Sequence, residues 1–339
     1  MTWSKFTKDN ISLFKKYKYI LQSNNILLLS IKKERQNIIR FIRSSKKINI
    51  TITKLDNTIH EYNNRFKKYA DAYFVDRMNV LNSMNSLDAM YMIQWDNNMI
   101  MIKTTTYDFS NIRKRLKLMI LMIEYIKNKA NNHTKPINIY MVLTKLNKLF
   151  PEDNFMDVKN ANSGYTDFSK NIIFIWRHEE FEKVLFHELI HLFNLDTRHH
   201  SYDKYIDIDG DDMICESITD FWGIFYHTIY ISLISRVQIK LLLELELGFI
   251  RNQAMVLNTI YGLDDWNKKP NNVIQQNTSA FSYYIIKYLL FEYSLHNKMS
   301  LHNEKLQPNK MIKGILNNGF IMKSYIKIDS SRMTLLQLL

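Results

Sequence analysis

Five residues, His187-Glu188-Leu189-Ile190-His191, read H-E-x-x-H in a stretch patterned as a helix, and they constrain what this chain can build more than any other segment. Helical geometry puts positions four apart on one face. The two imidazoles then lie side by side with a carboxylate next to them, an arrangement able to hold a divalent metal and activate water. Two imidazoles do not complete a metal site, so the fold must bring further donors from elsewhere in the chain.

The flanking residues support a helix at this point. KNIIFIWR, residues 170–177, is rich in β-branched and aromatic side chains and reads as a strand feeding into the motif. Glu179, Glu180 and Glu182 fall in the expected first turn, where carboxylates complement the helix dipole. Val184, Leu185, Leu189, Leu192 and Phe193 supply a buried side, while His187 and His191 share another stripe. Asn194 suits the left-handed residue that ends many helices.

A structural zinc site normally takes four protein ligands, often thiolates, and this chain has one cysteine, Cys215. A catalytic site takes three ligands and leaves a position for water. Beyond His191 the available donors are His199, His200, the aspartates between 203 and 212, and Glu216. Residues Met213 to Ser235 read as a second helix, with Asp211 and Asp212 as N-cap candidates. That helix puts Glu216 and Asp220 on one face, so that Glu216 can bind a metal while Asp220 accepts a hydrogen bond from a ligand imidazole.

H-E-x-x-H followed by E-x-x-x-D resembles the gluzincin, or thermolysin-like, zinc metallopeptidases. The resemblance implies one Zn2+ held by His187, His191 and Glu216, with Glu188 as general base and Asp220 orienting an imidazole. It implies hydrolysis of peptide bonds in a protein or peptide substrate by metal-activated water. It also implies an α+β, zincin-like fold, in which a small mixed sheet and the active-site helix sit above a mainly helical C-terminal lobe. In that family an exposed strand above the metal pairs with extended substrate, and NSGYT (162–166) or its neighbour is the candidate. The oxyanion donor is a His or Tyr of the lower lobe, for which Tyr226, His227, Tyr283 and Tyr284 are available. The separation of 25 between His191 and Glu216 exceeds the thermolysin spacing, which an insertion in the connecting loop accommodates. More loosely, the stretch from Ile137 through NSGYT to the motif, in a chain heavy in Asn, Lys and Ile, is similar to uncharacterised metallopeptidase-like proteins of large DNA viruses.

Other readings use the same residues. A metzincin would need Gly at position 194 and His at 197, where Asn194 and Thr197 stand. A DNA-associated protease of the kind that removes crosslinked proteins would take His199 or His200 as third ligand. A non-catalytic virion or scaffold protein could keep the zincin fold without turnover. YIDIDGDDMICE (205–216) matches a calcium loop at several positions but has Tyr205 where the first carboxylate belongs, and an acidic capping loop accounts for it better. Cys215 reads as a small buried residue pointing about 100° away from Glu216. Gly314 and Gly319 have P-loop spacing without the following Lys, so nucleotide chemistry has no support.

Only 7 Gly and 4 Pro in 339 residues argue for long helices and few tight turns. The pattern divides into a basic, mainly helical region (1–86), an upper lobe ending in the motif helix (87–196), and a lower lobe that reads as helix and loop and carries the third ligand (197–339). In detail, KINITITKL (47–55) alternates like a strand, 58–86 reads as a helix, and AMYMIQW and MIMIKTTTY flank a hairpin turn at Asp96-Asn97-Asn98. A helix from about Ser110 to Asn131 precedes the strand INIYMVL. No apolar run reaches membrane-spanning length, and MTWSKFTKDN lacks a signal-peptide core. With a single cysteine, this points to an intracellular, reducing location, the host cytoplasm or a virion for a viral protein. Of the net charge of +13, most lies in residues 1–50, which hold 12 Lys and Arg against Asp9 and Glu34. A nucleic-acid contact there competes with solvated helix faces as the explanation.

Overall fold

The computed structural model describes residues 3–17, 20–45, 48–56, 60–72, 75–130, 135–152, 155–196, 208–209, 214–262, 274–296 and 330–338. His199 and His200, most of the acidic loop from Tyr205, and Gly314 and Gly319 lie outside them. The chain folds as α1 (Lys5–Tyr17), α2 (Ile26–Ser44), β1 (Thr51–Leu55), α3 (His60–Ala70), α4 (Arg77–Met84), β2 (Ala89–Trp95) and β3 (Asn98–Thr104). It continues through α5 (Thr106–Arg113), α6 (Leu116–Lys129), β4 (Asn138–Thr144), α7 (Val158–Ala161), β5 (Gly164–Asp167), β6 (Ile172–Arg177) and the motif helix α8 (Phe181–Leu192). Next come β7 (Ile208–Asp209), α9 (Ile214–Ser235), α10 (Ile239–Ile260), β8 (Ile274–Gln275), a π-helical turn (Ser282–Ile286) and α11 (Lys287–His296).

The class is α+β. Six strands form one mixed sheet in the order β1-β2-β3-β4-β6-β5. β3, β4 and β6 run parallel, and β1, β2 and β5 are antiparallel to their neighbours. Period-two alternation sends Ile173 and Ile175 of β6 to the face covered by α6 and α8, and Phe174 and Trp176 to the face covered by α3 and α4. Because both faces are covered, all six β6 residues are buried, which is why that strand reads as a continuous apolar run.

Residues 1–86 share this framework. β1 extends the sheet, Phe66, Val80 and Met84 of α3 and α4 fill its second face, and α1 packs on α10 through Phe14, Leu245 and Phe249. The single helix expected over 58–86 is two, α3 ending at Ala70 and α4 beginning at Arg77, and the one expected over 110–131 is divided between α5 and α6 at Lys114 and Arg115. Beyond Asp196 the chain is not all helix and loop. Ile208 and Asp209 pair in parallel with Ile274 and Gln275, and an extended segment, 330–338, runs through the interior. Its residues 331–338 are buried, and Glu246 of α10 accepts hydrogen bonds from the Leu335 and Leu336 amides.

Helix α8 is buried along all twelve residues, so the stripe of His187 and His191 is buried together with the apolar side. Its start also differs from expectation. The helix begins at Phe181, and Glu180 adopts the left-handed conformation, φ +60°, instead of joining the first turn. From there its carboxylate accepts the Thr334 amide at 2.6 Å and pairs with Lys148 at 3.0 Å, while Glu182 pairs with buried Arg115 at 2.5 Å. The helix ends as expected, with Asn194 left-handed at φ +53°. No helix among the described residues is long and apolar enough to cross a membrane.

Ile175 is fully buried in β6, between β4 and β5, on the face toward α8. Ile175→Ala is expected to lower unfolding free energy by about 2–5 kcal/mol, read by chemical denaturation. A loss below about 1 kcal/mol would mean that this strand is not the centre of the core.

Candidate metal centre

Helices α8 and α9 cross closely where the site forms. A Cβ on Gly223 of α9 would come within 3.3 Å of the His187 Cα and Cβ, so the missing side chain is what allows α9 to approach the motif helix. One and two turns before Gly223, Asp220 and Glu216 face the two imidazoles. Glu216 Oε2 lies 3.1 Å from His187 Nε2 and 3.1 Å from His191 Nε2. On the outer side of each ring, His187 Nδ1 meets Asp220 Oδ1 at 3.0 Å and His191 Nδ1 meets Asp196 Oδ2 at 2.7 Å.

A carboxylate only accepts, so each Nδ1 donates outward, and a ring in its neutral form then turns its Nε2 lone pair toward Glu216. In that form two lone pairs and a carboxylate oxygen converge on one point, a donor set able to hold a cation. Ligands of a tetrahedral site with bonds of about 2.0–2.1 Å stand roughly 3.3 Å apart, close to the two separations found here. His187, His191 and Glu216 are buried, and their ligand atoms lie within 4.8 Å of one another. The residues present therefore fit a divalent ion bound by three protein ligands.

The electrostatics agree. Burial works to lower both imidazole pKa values, yet hydrogen bonds and charge from Asp220, Asp196 and Glu216 raise them. Burial works to raise the Glu216 carboxyl, and the imidazoles outweigh it and hold the group well below the usual carboxylate range. The pocket's field favours positive charge.

Glu188 stands on the cleft side of α8. Burial raises its pKa, opposed by His187, His191 and a hydrogen bond of 2.8 Å donated by the Thr166 hydroxyl. Thr166 belongs to β5, the edge strand, which lies directly over the motif helix. A Cβ on Gly164 of the same strand would fall 2.6 Å from Val184 Cγ1 and 3.0 Å from Glu188 Oε1. The absent side chain lets β5 settle onto the helix beside the carboxylate. Between β5, α8 and the π-turn opens a cleft of about 390 Å³, floored by His187, Glu188, His191 and Glu216 and walled by Tyr165, Phe168 and Tyr283.

Of the four candidate oxyanion donors, the structure brings one to the cleft. Tyr283 is half-buried on its wall, its ring centroid is 6.0 Å from that of His187, and its phenol hydrogen-bonds to Glu216. The others serve the core. The Tyr226 hydroxyl donates to Glu34 at 3.3 Å, the Tyr284 hydroxyl donates to the Ser331 carbonyl, and His227, whose pKa burial pushes down to about 3, contacts Thr334 at 3.5 Å. Adjacent tyrosines part company because successive residues of a helical turn project in directions roughly 100° apart. Cys215 lines the cleft half-buried, its thiol pushed up to about 11 by burial and by Glu216.

Four residues at the site escape a reading of the motifs. Asp196 lies five residues after His191, where the left-handed Asn194 turns the chain back under the helix. Thr166 is two residues from Gly164, hence on the same face of β5. Lys183, one turn before His187, donates to Asp220 from the same helix face, a spacing visible in the sequence. Lys287 donates to Asp220 at 2.6 Å across a sequence separation of 67, which no local pattern signals.

Gly164→Ala is expected to destabilise the fold by about 1–3 kcal/mol through the clash with Val184. In Gly164→Ala/Val184→Ala the combined loss should be smaller than the sum of the two single losses, because each relieves the other. Strictly additive losses in chemical denaturation would show that β5 does not rest on α8 at this point.

No family model matches the chain, and neither a curated protein nor a solved structure matches it.

Proposed function

We propose that the chain is a zinc-dependent metallopeptidase of zincin-like architecture, hydrolysing peptide bonds with Glu188 as general base. The observation that carries the reading is the convergence of His187 Nε2, His191 Nε2 and Glu216 Oε2 on one point, with the Glu188 carboxylate beside it under an open strand edge. A bound Zn2+ would supply Lewis acidity that lowers the pKa of water and polarises the scissile carbonyl.

The chain's own groups do the rest. β5 is paired with β6 along one side only, and its other side borders the cleft, where an extended substrate can add as a further strand. Glu188, raised by burial, takes a proton from the attacking water and passes it to the leaving amine. Thr166 keeps the Glu188 carboxylate turned to the cleft by its hydrogen bond. The Tyr283 hydroxyl, on the cleft wall, would turn from Glu216 to donate to the developing oxyanion. Asp220 and Asp196 hold the two rings with Nε2 facing inward.

Two imidazoles and a carboxylate also serve non-haem iron. A buried carboxylate beside the open side, placed to carry a proton, favours hydrolysis.

Metal analysis of the purified protein and cleavage of a denatured protein mixture test the proposal together. Wild type should bind about one equivalent of zinc and cut. Glu188→Gln should keep the zinc and lose activity by about 10²–10⁴-fold, whereas His191→Ala should lose both. Persistent proteolysis in Glu188→Gln, or iron in place of zinc, would end the reading. Tyr283→Phe should lower kcat by on the order of 10²-fold with KM little changed. An unaltered kcat would remove Tyr283 from the mechanism.

A further inference from the structure

Asp220 is bound far more heavily than orientation of one ring requires. Its carboxylate is fully buried and takes three donors: His187 Nδ1 at 3.0 Å and Lys183 Nζ on Oδ1, and Lys287 Nζ at 2.6 Å on Oδ2. A single acceptor is enough to fix an imidazole. Here two ammonium groups, each about 99% buried, converge on that acceptor from separate helices, α8 and α11. Such charges are costly to bury and persist where a strong counter-charge holds them.

The charge around the site gives them a role. Four carboxylates, Glu188, Asp196, Glu216 and Asp220, lie against the two imidazoles. With all four ionised, they would call for two dications. Lys183 and Lys287 supply two positive charges on Asp220, and a single dication then brings the cluster to neutrality. Neither lysine lines the cleft, so they adjust the charge without occupying it.

We propose that Lys183 and Lys287 are positioning residues that set the charge of the metal site, acting through Asp220 so that one dication, and not two, balances the buried carboxylates. The proposal rests on the metal-centre reading. It requires a definite sign for each substitution, because at this range in a low-dielectric interior the lysines repel the ion that Asp220 attracts. A purely structural role would instead make every change in the cluster weaken binding.

The test is a double-mutant cycle on the full chain, with Zn2+ affinity measured by competition with a chromophoric chelator at pH 8. Asp220→Asn keeps an acceptor for His187 Nδ1 but leaves two ammonium groups uncompensated, and should weaken Zn2+ binding by on the order of a hundredfold. Adding Lys287→Met should recover about tenfold or more of that loss, and Lys287→Met alone should bind Zn2+ at least as tightly as wild type although its metal-free form melts lower. Near-UV circular dichroism checks that each variant is folded. If Asp220→Asn/Lys287→Met does not fold, Asp220→Asn/Lys183→Met makes the same comparison. A folded double variant that binds Zn2+ no better than Asp220→Asn overturns the proposal while leaving the metal centre in place. Wild-type protein that binds no Zn2+ overturns the metal centre itself, and the proposal with it.

Discussion

The crossing of α9 over α8 is the constraint on which the rest of the site depends. A carboxylate from one helix can reach two imidazoles on another only if the backbones come close, and Gly223 provides that approach directly over His187. Once the axes are fixed, helical spacing does the remainder. His187 and His191 present one stripe, Glu216 and Asp220 present the other, and the two stripes mesh as inner and outer partners of the same rings. The burial of α8 along its length follows from this, since a helix with α9 packed on one side and the sheet on the other opens only into the cleft.

Burying so many ionisable groups carries a cost that this interior meets by pairing. Glu182 with Arg115, Glu180 with Lys148, and Asp220 with Lys183 and Lys287 are all nearly solvent-free. Pairs of this kind add little net stability, because desolvation consumes most of the Coulomb gain. Their effect is geometric. Glu180 fastens the start of α8 to the Thr334 amide of the buried segment, and Glu246 fastens the same segment to α10. The N-terminus of the motif helix is thereby set by charges and not by a capping side chain, which the left-handed Glu180 could not supply.

Much of this was legible in the sequence where the information is local. The motif helix, its left-handed end at Asn194, the β5 and β6 strands and the pairing of Glu216 with Asp220 all follow from side-chain spacing within about one or two turns. What escaped is non-local or phase-breaking. Lys287 reaches Asp220 from a helix far along the chain, and the buried run 331–338 carries no periodicity that marks it as core. Tyr283 and Tyr284 are indistinguishable by composition, and only the packing of their helical turn decides which one meets the cleft. The β1 strand could be read by itself and α3 and α4 only as one continuous helix, and their place on the same sheet as the site is a property of topology.

Edge strands are usually short or protected because an unpaired row of amides and carbonyls invites another chain. β5 has four residues, bears no Pro, and is locked to β6 by the turn at Ser169 to Asn171, where Asn171 takes φ +57°. The lock is what allows an open edge to be kept. Its Gly164 and Thr166 face α8 while Tyr165 faces the second core against Phe174, so a strand that seems too small to be stable is held from both sides. The side left open borders the cleft beside Glu188. An edge that would be a liability elsewhere on the surface is, at this position, the side from which a peptide can approach the carboxylate and the converging ring nitrogens, in register with a strand that cannot slip.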